Sequence, residues 1–105
     1  MPKKIHVPAP AASALKKLGS DINSARRVRR IPTAVMAERA GITKITLRKV
    51  EQGNPQTSIA AYANVLFVLG FTDKLRNLAD IADDYAGRML GEKNLPQRIR
   101  FKNDE

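Results

Sequence analysis

The 105-residue sequence contains no cysteine, no tryptophan and a single histidine. The absence of cysteine excludes disulfides, thiolate metal sites and cysteine nucleophiles, and it makes a reducing cytoplasm the expected setting. The one histidine, His6, lies in a proline-flanked segment with no evident set of acid, base and nucleophile around it. We therefore expect no catalytic residues and no enzyme activity, for example no nuclease activity.

Long apolar runs are also missing from the chain. No run approaches the ~20 residues that a membrane span needs. Residues 1–13 carry two lysines but lack the apolar core of about 7–15 residues that defines a signal peptide, so we expect a flexible N-terminal arm there. A length of 105 residues with 43% hydrophobic content suits one modest helical core and leaves no room for a second catalytic domain.

Acidic residues are scarce in the first half of the sequence. Residues 1–50 hold twelve Lys and Arg against only Asp21 and Glu38, a net charge of +10. Residues 51–105 hold seven against eight acidic residues, a net charge of −1. A DNA duplex favours clustered cations through counterion release, whereas a merely solvated surface has no reason to segregate them. The distribution therefore predicts a nucleic-acid partner for the first half.

Residues 33–53 contain two short helical patterns that meet at Gly41. Gly41 suits the left-handed backbone of a tight turn, and Thr43 can cap the second helix. This arrangement is typical of a helix-turn-helix, and the alternative is an ordinary helix pair with solvated cations. The apolar positions at helical spacing are Met36, Ala37, Ala40, Leu47 and Val50. The outward positions of the second helix are Lys44, Ile45, Thr46, Arg48 and Lys49.

Further helices are predicted on both sides of this pair. The first covers residues 14–30, with Ser13 as its cap, and ends in arginines that either clamp phosphates or form a solvated last turn. A fourth begins at Thr57 or Ser58 and ends at Gly70, a fifth covers 71–81, and a weaker sixth covers 84–95. Beyond Pro96 the alternation of basic and apolar residues favours an extended tail. The apolar stripes predicted for the first and fourth helices are Leu15, Leu18, Ile22, Ala25 and Val28, and Ile59, Ala63, Leu66 and Leu69.

The fold expected from this pattern is an all-α bundle of five or six helices with an extended C-terminal tail. We divide it into an arm (1–13), a DNA-binding domain (14–81) and a C-terminal extension (82–105). Its fourth and fifth helices carry more apolar residues than one core covers, which favours a homodimer over a fully wrapped monomer. The residues expected at that interface are Val65, Phe67, Val68, Leu75 and Leu78. Three acids without a nearby histidine, Asp80, Asp83 and Asp84, are interpreted as caps and loop residues, and we expect no metal and no cofactor.

The stretch MAERAGITKITLRKVEQGNP, followed by the spacing of Ala63, Leu66 and Leu69, resembles the Xre or Cro/CI-type helix-turn-helix regulators. The resemblance implies a lambda-repressor-like fold. It also implies a bacterial protein that is located in the cytoplasm and associated with the nucleoid. Pro32, Thr33 and Ile45 depart from the family pattern, and Ile45 implies apolar readout, for instance of a thymine methyl group. The resemblance implies base contacts by Thr43, Lys44, Ile45 and Lys49. The phosphate contacts expected from the resemblance and from the arginine cluster are Thr33, Thr46, Arg48, Arg26, Arg27 and Arg30.

A second resemblance covers the stretch LRNLADIADDYAGRMLGEKNLPQRIR, which is similar to the C-terminal extension of regulators encoded beside Hip-type kinase toxins. This resemblance implies an antitoxin that binds its toxin and represses its own operon. The alternative is a solo repressor, phage-like or metabolic, whose C-terminal helices bind a small ligand or only dimerise. The residues expected to hold the partner are Tyr85, Arg98, Ile99, Arg100 and Phe101.

Overall fold

The computed structural model describes residues 4–91 together with residues 95, 97 and 99. Over these residues the chain is all-helical and has no strand, which confirms the predicted all-α class. The chain divides into two compact units, Met1–Leu75 and Arg76–Glu105. The helices are α1 (Ala9–Val28), α2 (Thr33–Ala40), α3 (Lys44–Glu51), α4 (Ile59–Leu69), α5 (Thr72–Arg76) and α6 (Tyr85–Met89).

Helix α1 begins earlier than the sequence predicted. It starts at Ala9, after Pro8 as N-cap, and Pro10 lies in its first turn. Proline is well accepted there because the first N–H groups of a helix have no intrahelical partner and the fixed φ of proline suits the helix. The predicted cap at Ser13 is therefore wrong. Ile22 is buried as expected, but Val28, the last residue of the helix, is exposed.

The core of the first unit lies between α1, α2, α3 and α4. Helix α2 packs on α3 and α4, and α1 packs on the same two helices. All five apolar residues predicted to face inward from α2 and α3 are buried, which confirms that pattern. The buried apolar residues are Ile22, Met36, Ala37, Ala40, Leu47, Val50, Ala61, Tyr62, Val65, Leu66 and Leu69.

Helix α4 has the predicted ends but a rotated inner face. The Ser58 hydroxyl accepts from Ala61 N at 3.2 Å, and Gly70 ends the helix with a φ of 85°. Ile59 is exposed, contrary to prediction, because it is the first residue of the helix and precedes Ala61, the first buried residue of α4. Val65 is 0% exposed. It therefore belongs to the core of the subunit, and its assignment to a dimer interface is wrong.

The helices beyond Gly70 are shorter than predicted. Helix α5 ends at Arg76, a single 3-10 turn covers Ile81–Asp83, and α6 ends at Met89. The Asp80 side chain accepts from Ala82 N at 2.8 Å and that of Asp84 accepts from Gly87 N at 2.9 Å. Asp80 therefore interrupts the predicted fifth helix, whereas Asp84 starts α6 where the sixth helix was predicted to begin. The expected extended tail falls almost wholly outside the described residues.

Candidate nucleic-acid interface

The turn between α2 and α3 has the geometry that its sequence predicted. Gly41 adopts a φ of 68°, and the N–H of Ile42 donates to Ala37 O at 2.9 Å across the turn. The Thr43 hydroxyl accepts from Thr46 N at 3.1 Å and so caps α3. The second helix therefore starts at a fixed position against the first, with its N-terminal turn exposed.

Helix α3 separates an apolar inner face from a cationic outer face. Leu47 and Val50 are buried on the inner face, and Thr46 lies half-buried at its edge. Ile45 is 68% exposed although it is apolar. We call the exposed outer set the recognition face, and its residues are Lys44, Ile45, Arg48 and Lys49.

The C-terminal end of α3 is held to α1 by a nearly buried ion pair. Arg26 Nε donates to Glu51 Oε2 at 2.7 Å and Arg26 Nη2 to Glu51 Oε1 at 3.2 Å. Asn23 donates to the same carboxylate at 2.8 Å. The two charged side chains are 11% and 9% exposed. The remaining terminal nitrogen, Arg26 Nη1, donates to Ile31 O at 2.9 Å.

This arrangement corrects the prediction for Arg26. Its guanidinium is paired with Glu51 and the carbonyl of Ile31, and its side chain is almost removed from the surface, so it is a structural residue and is not presented to a phosphate. Arg27 and Arg30 remain exposed near the end of α1, as the predicted phosphate role requires. Arg30 has a φ of 54°, an uncommon conformation for a residue other than glycine.

Two glycines allow α1 to approach the end of α3 closely. A Cβ atom at Gly19 would lie 2.7 Å from Val50 O and 2.8 Å from Glu51 O. Gly53 has a φ of 68°, and a Cβ atom there would overlap the backbone of Leu15. The backbones of α1 and of the end of α3 are therefore in contact. A side chain at either glycine would separate them. Sequence reasoning missed Gly19, because a lone glycine inside a helical pattern signals only weak propensity.

Two shallow depressions flank the recognition face. One, of about 230 Å³, is lined by Thr33, Lys44, Leu47, Arg48 and Glu51. The other, of about 260 Å³, is lined by Thr46, Lys49, Asn54, Gln56, Thr57 and Ser58. The first depression combines Lys44 and Arg48 of α3 with Thr33, the first residue of α2, and the second combines Lys49 of α3 with Ser58, the N-cap of α4. The structure thus brings Thr33, Thr46 and Arg48 close to the predicted base-contact residues.

The loop that lines the second depression is fixed by hydrogen bonds that the sequence did not reveal. The Tyr62 hydroxyl donates to Asn54 O at 2.8 Å, and Asn54 Oδ1 accepts from Gln56 N at 2.7 Å. Burial raises the pKa of the Tyr62 hydroxyl above its ordinary value, because desolvation disfavours the phenolate. The neutral phenol is the form that donates to the loop.

The predicted partner residues are only partly described. Tyr85 is exposed on α6, and Ile99 is exposed in the following segment. The remaining three, Arg98, Arg100 and Phe101, lie outside the described residues. Phe67 and Leu78, predicted for a dimer interface, are exposed, whereas Val68 and Leu75 pack partly against the core.

Within the described part of the chain, no group of three or more histidine, cysteine, aspartate or glutamate side chains is arranged to hold a metal ion. No helix among the same residues is long and apolar enough to cross a bilayer. Asp80 and Asp84 are helix caps, as interpreted from the sequence.

No family model matches the chain, and a search of curated proteins found no match.

Proposed function

We propose that the protein is a sequence-specific DNA-binding repressor with a helix-turn-helix of the lambda-repressor type. The observation that carries this proposal is the recognition face, an exposed cationic surface on a short helix whose opposite side is buried. Such a helix, about 10–12 Å across with its side chains, fits the major groove, which is about 12 Å wide. Lys44 and Lys49 can donate to guanine acceptors, and Ile45 can contact a thymine methyl group.

The two depressions beside the recognition face support the same proposal. A helix in the major groove lies between two phosphate backbones, and contacts to both fix its register without reading sequence. Thr33 and Arg48 lie at one depression and Thr46 at the other. Arg27 and Arg30, exposed at the end of α1, extend the positive surface. We assign the role of phosphate contact to these residues.

We further propose that the protein acts as a homodimer. Two-fold proteins bind palindromic sites, with half-sites about one helical turn apart. Phe67 on α4 is 69% exposed and Leu78 is 79% exposed. Large apolar side chains in such positions are candidates for the surface that joins two subunits.

The proposed partner is a Hip-type kinase toxin, with which the protein would form a toxin–antitoxin pair. Support comes from the second unit, in which residues 76–91 include no buried residue. Segments of about 30 residues seldom bury enough apolar surface to be stable alone. The second unit is therefore expected to gain stability when it binds a partner. Apart from Leu78, which we assign to the dimer surface, the exposed apolar residues there are Ile81, Tyr85, Met89 and Leu90.

The alternative is a solo repressor whose second unit serves dimerisation or a small ligand. Expression of the native operon separates the two functions, because an antitoxin co-purifies with a kinase-like neighbour and a solo repressor does not. The same comparison can be made at the genome, where an adjacent kinase-like reading frame favours the antitoxin.

The DNA-binding proposal is tested by selecting duplexes from a random library and then comparing Lys49→Ala with Arg27→Ala. Loss of the Lys49 base contact is expected to cost about 1–3 kcal/mol on the selected duplex and much less on scrambled DNA. Loss of the Arg27 phosphate contact is expected to weaken all duplexes alike. Competition titrations with both duplexes measure these losses. Equal proportional losses of specific and non-specific affinity in both variants would contradict the assigned recognition face.

A further inference from the structure

The segment before α1 is tied to the loop that follows α3. The N–H of Ile5 donates to Gln56 Oε1 at 3.3 Å, and Gln56 Nε2 donates to Ile5 O at 3.1 Å. One amide side chain therefore pairs with both backbone groups of a residue 51 positions away. The sequence predicted a flexible arm in this region and gave no sign of an anchor.

Gln56 is itself held in place beside α3. Its N–H donates to Asn54 Oδ1 at 2.7 Å, and Asn54 O accepts from the Tyr62 hydroxyl at 2.8 Å. Gln56 also lines the second depression together with Thr46 and Lys49 of α3. The hydrogen bonds to Ile5 therefore fix the arm at one edge of the recognition face.

The anchored segment carries positive charge to that edge. Lys4 directly precedes Ile5 and is exposed, as is His6 on its other side. Adjacent Cα atoms are about 3.8 Å apart, so the position of Ile5 determines where the Lys4 side chain starts. The chain has no acidic residue before Asp21. The charge of Lys4 is therefore not offset by an acid of its own segment.

We propose that this anchored arm is a second DNA-contacting element, in which Lys4 contacts a backbone phosphate beside the recognition face and Gln56 positions it. The proposal rests on the DNA-binding function above and adds an element outside the helix-turn-helix. Gln56 touches no phosphate in this scheme, because both ends of its amide are used by Ile5. It is a positioning residue, and Lys4 supplies the charge.

The chemistry of Gln56 makes the positioning role specific. Methionine is similar in size but offers neither an N–H donor nor a carbonyl acceptor to Ile5. The Gln56→Met variant therefore releases the arm while the loop keeps its backbone bond to Asn54 and its contact with Tyr62. The fold of the first unit is expected to remain, because Gln56 is exposed.

The test compares the wild type, Lys4→Ala, Gln56→Met and the double variant on the selected duplex over a range of salt concentrations. Lys4→Ala is expected to reduce the salt slope, the dependence of log affinity on log salt, by about one unit, the signature of one lost phosphate contact. Gln56→Met is expected to produce part of the same loss. The double variant is expected to bind no more weakly than Lys4→Ala alone, because Gln56 acts through Lys4.

A matched control is Lys17→Ala, which removes an exposed lysine already paired with Asp21 at 2.6 Å. Its salt slope is expected to equal that of the wild type. An unchanged slope in Lys4→Ala, or fully additive losses in the double variant, would overturn the arm's role while leaving DNA binding intact. Failure of the wild type to select any duplex would instead overturn the proposed function on which it rests.

Discussion

Glu51 and Arg26 show how one contact decides what a charged residue does. On sequence alone Arg26 belongs to a cluster of four arginines at the end of α1, and nothing distinguishes it from Arg27. In the fold its guanidinium lies against the Glu51 carboxylate and is largely removed from solvent. The neighbouring Arg27 is exposed. Two adjacent arginines therefore differ in role. Arg26 stabilises the contact between α1 and α3, and Arg27 is available at the surface.

The Glu51→Gln variant is expected to lower the free energy of unfolding by about 3 kcal/mol, because it leaves the Arg26 charge nearly buried without a counter-charge. Urea denaturation followed by circular dichroism measures this change. The double variant Arg26→Met with Glu51→Leu removes both charges and is expected to recover much of the stability. A loss under about 0.5 kcal/mol for Glu51→Gln, the range of ordinary surface substitutions, would contradict a structural role for the pair.

Among the elements, the crossing of α1 over the end of α3 depends on the glycine contact. Replacing a glycine inside a helix by alanine ordinarily stabilises by about 0.5–1 kcal/mol. At Gly19 the opposite sign is expected, because the new methyl group would meet the carbonyl oxygens of Val50 and Glu51. Thermal denaturation of Gly19→Ala measures the effect, and Ser20→Ala at the next, exposed position is the control. A melting temperature for Gly19→Ala at or above that of the wild type would contradict the close approach.

The elements that the sequence predicted well are those with local signals. The turn at Gly41, the Thr43 cap and the end of α4 at Gly70 each depend on residues within one or two turns. Periodicity also identified the buried faces of α2 and α3. These features need no knowledge of the tertiary fold.

The features that the sequence did not reveal depend on distant residues. The Gly19 and Gly53 contact, the Arg26–Glu51 pair and the Gln56 anchor each join positions more than 20 residues apart. The sequence pattern predicts Val65 on the surface because the apolar residues around it are too many for one helical stripe. In the fold, α4 is buried over a wider arc because α1, α2 and α3 all pack against it.

At the scale of the whole molecule, the exposed apolar residues outside the core predict assembly. Phe67→Glu and Leu78→Glu are each expected to shift a homodimer to monomer, because a charge at a subunit interface loses its hydration. Both side chains are exposed in the subunit, so neither change is expected to unfold it. Light scattering at micromolar concentration measures the mass. Ile45→Glu, an equally exposed change on α3, is the control and is expected to remain dimeric.

A wild-type protein that is a clean monomer at that concentration and binds its DNA site as one subunit would rule out the dimer. If the Ile45→Glu control also became monomeric, the effect would be one of general surface charge and would not identify an interface.

Deletion of residues 95–105 separates the two proposed activities. The free protein is expected to keep nearly all its affinity for the selected duplex, because the recognition face and both depressions lie in the first unit. Capture of the co-encoded protein is expected to weaken, since the deletion removes Ile99 and the basic residues around it. A pull-down and a duplex titration of the truncated and full-length chains make the comparison. Equal capture by both chains would move the partner interface to the helical part of the protein.

Because cations are concentrated on the first unit, dissolved salt is expected to act in opposite directions on the stability of the fold and on the proposed binding of DNA. Arg27, Arg30, Lys44, Arg48 and Lys49 are all exposed on the first unit, and in the free protein they repel one another. Added ions screen that repulsion and so favour the folded chain, with a Debye length that falls from about 30 Å at 0.01 M to about 10 Å at 0.1 M. Under the proposed function, the same ions compete with these side chains for DNA phosphates and oppose binding. The proposed function therefore predicts that raising the salt concentration increases the melting temperature of the free protein while it lowers the affinity for DNA.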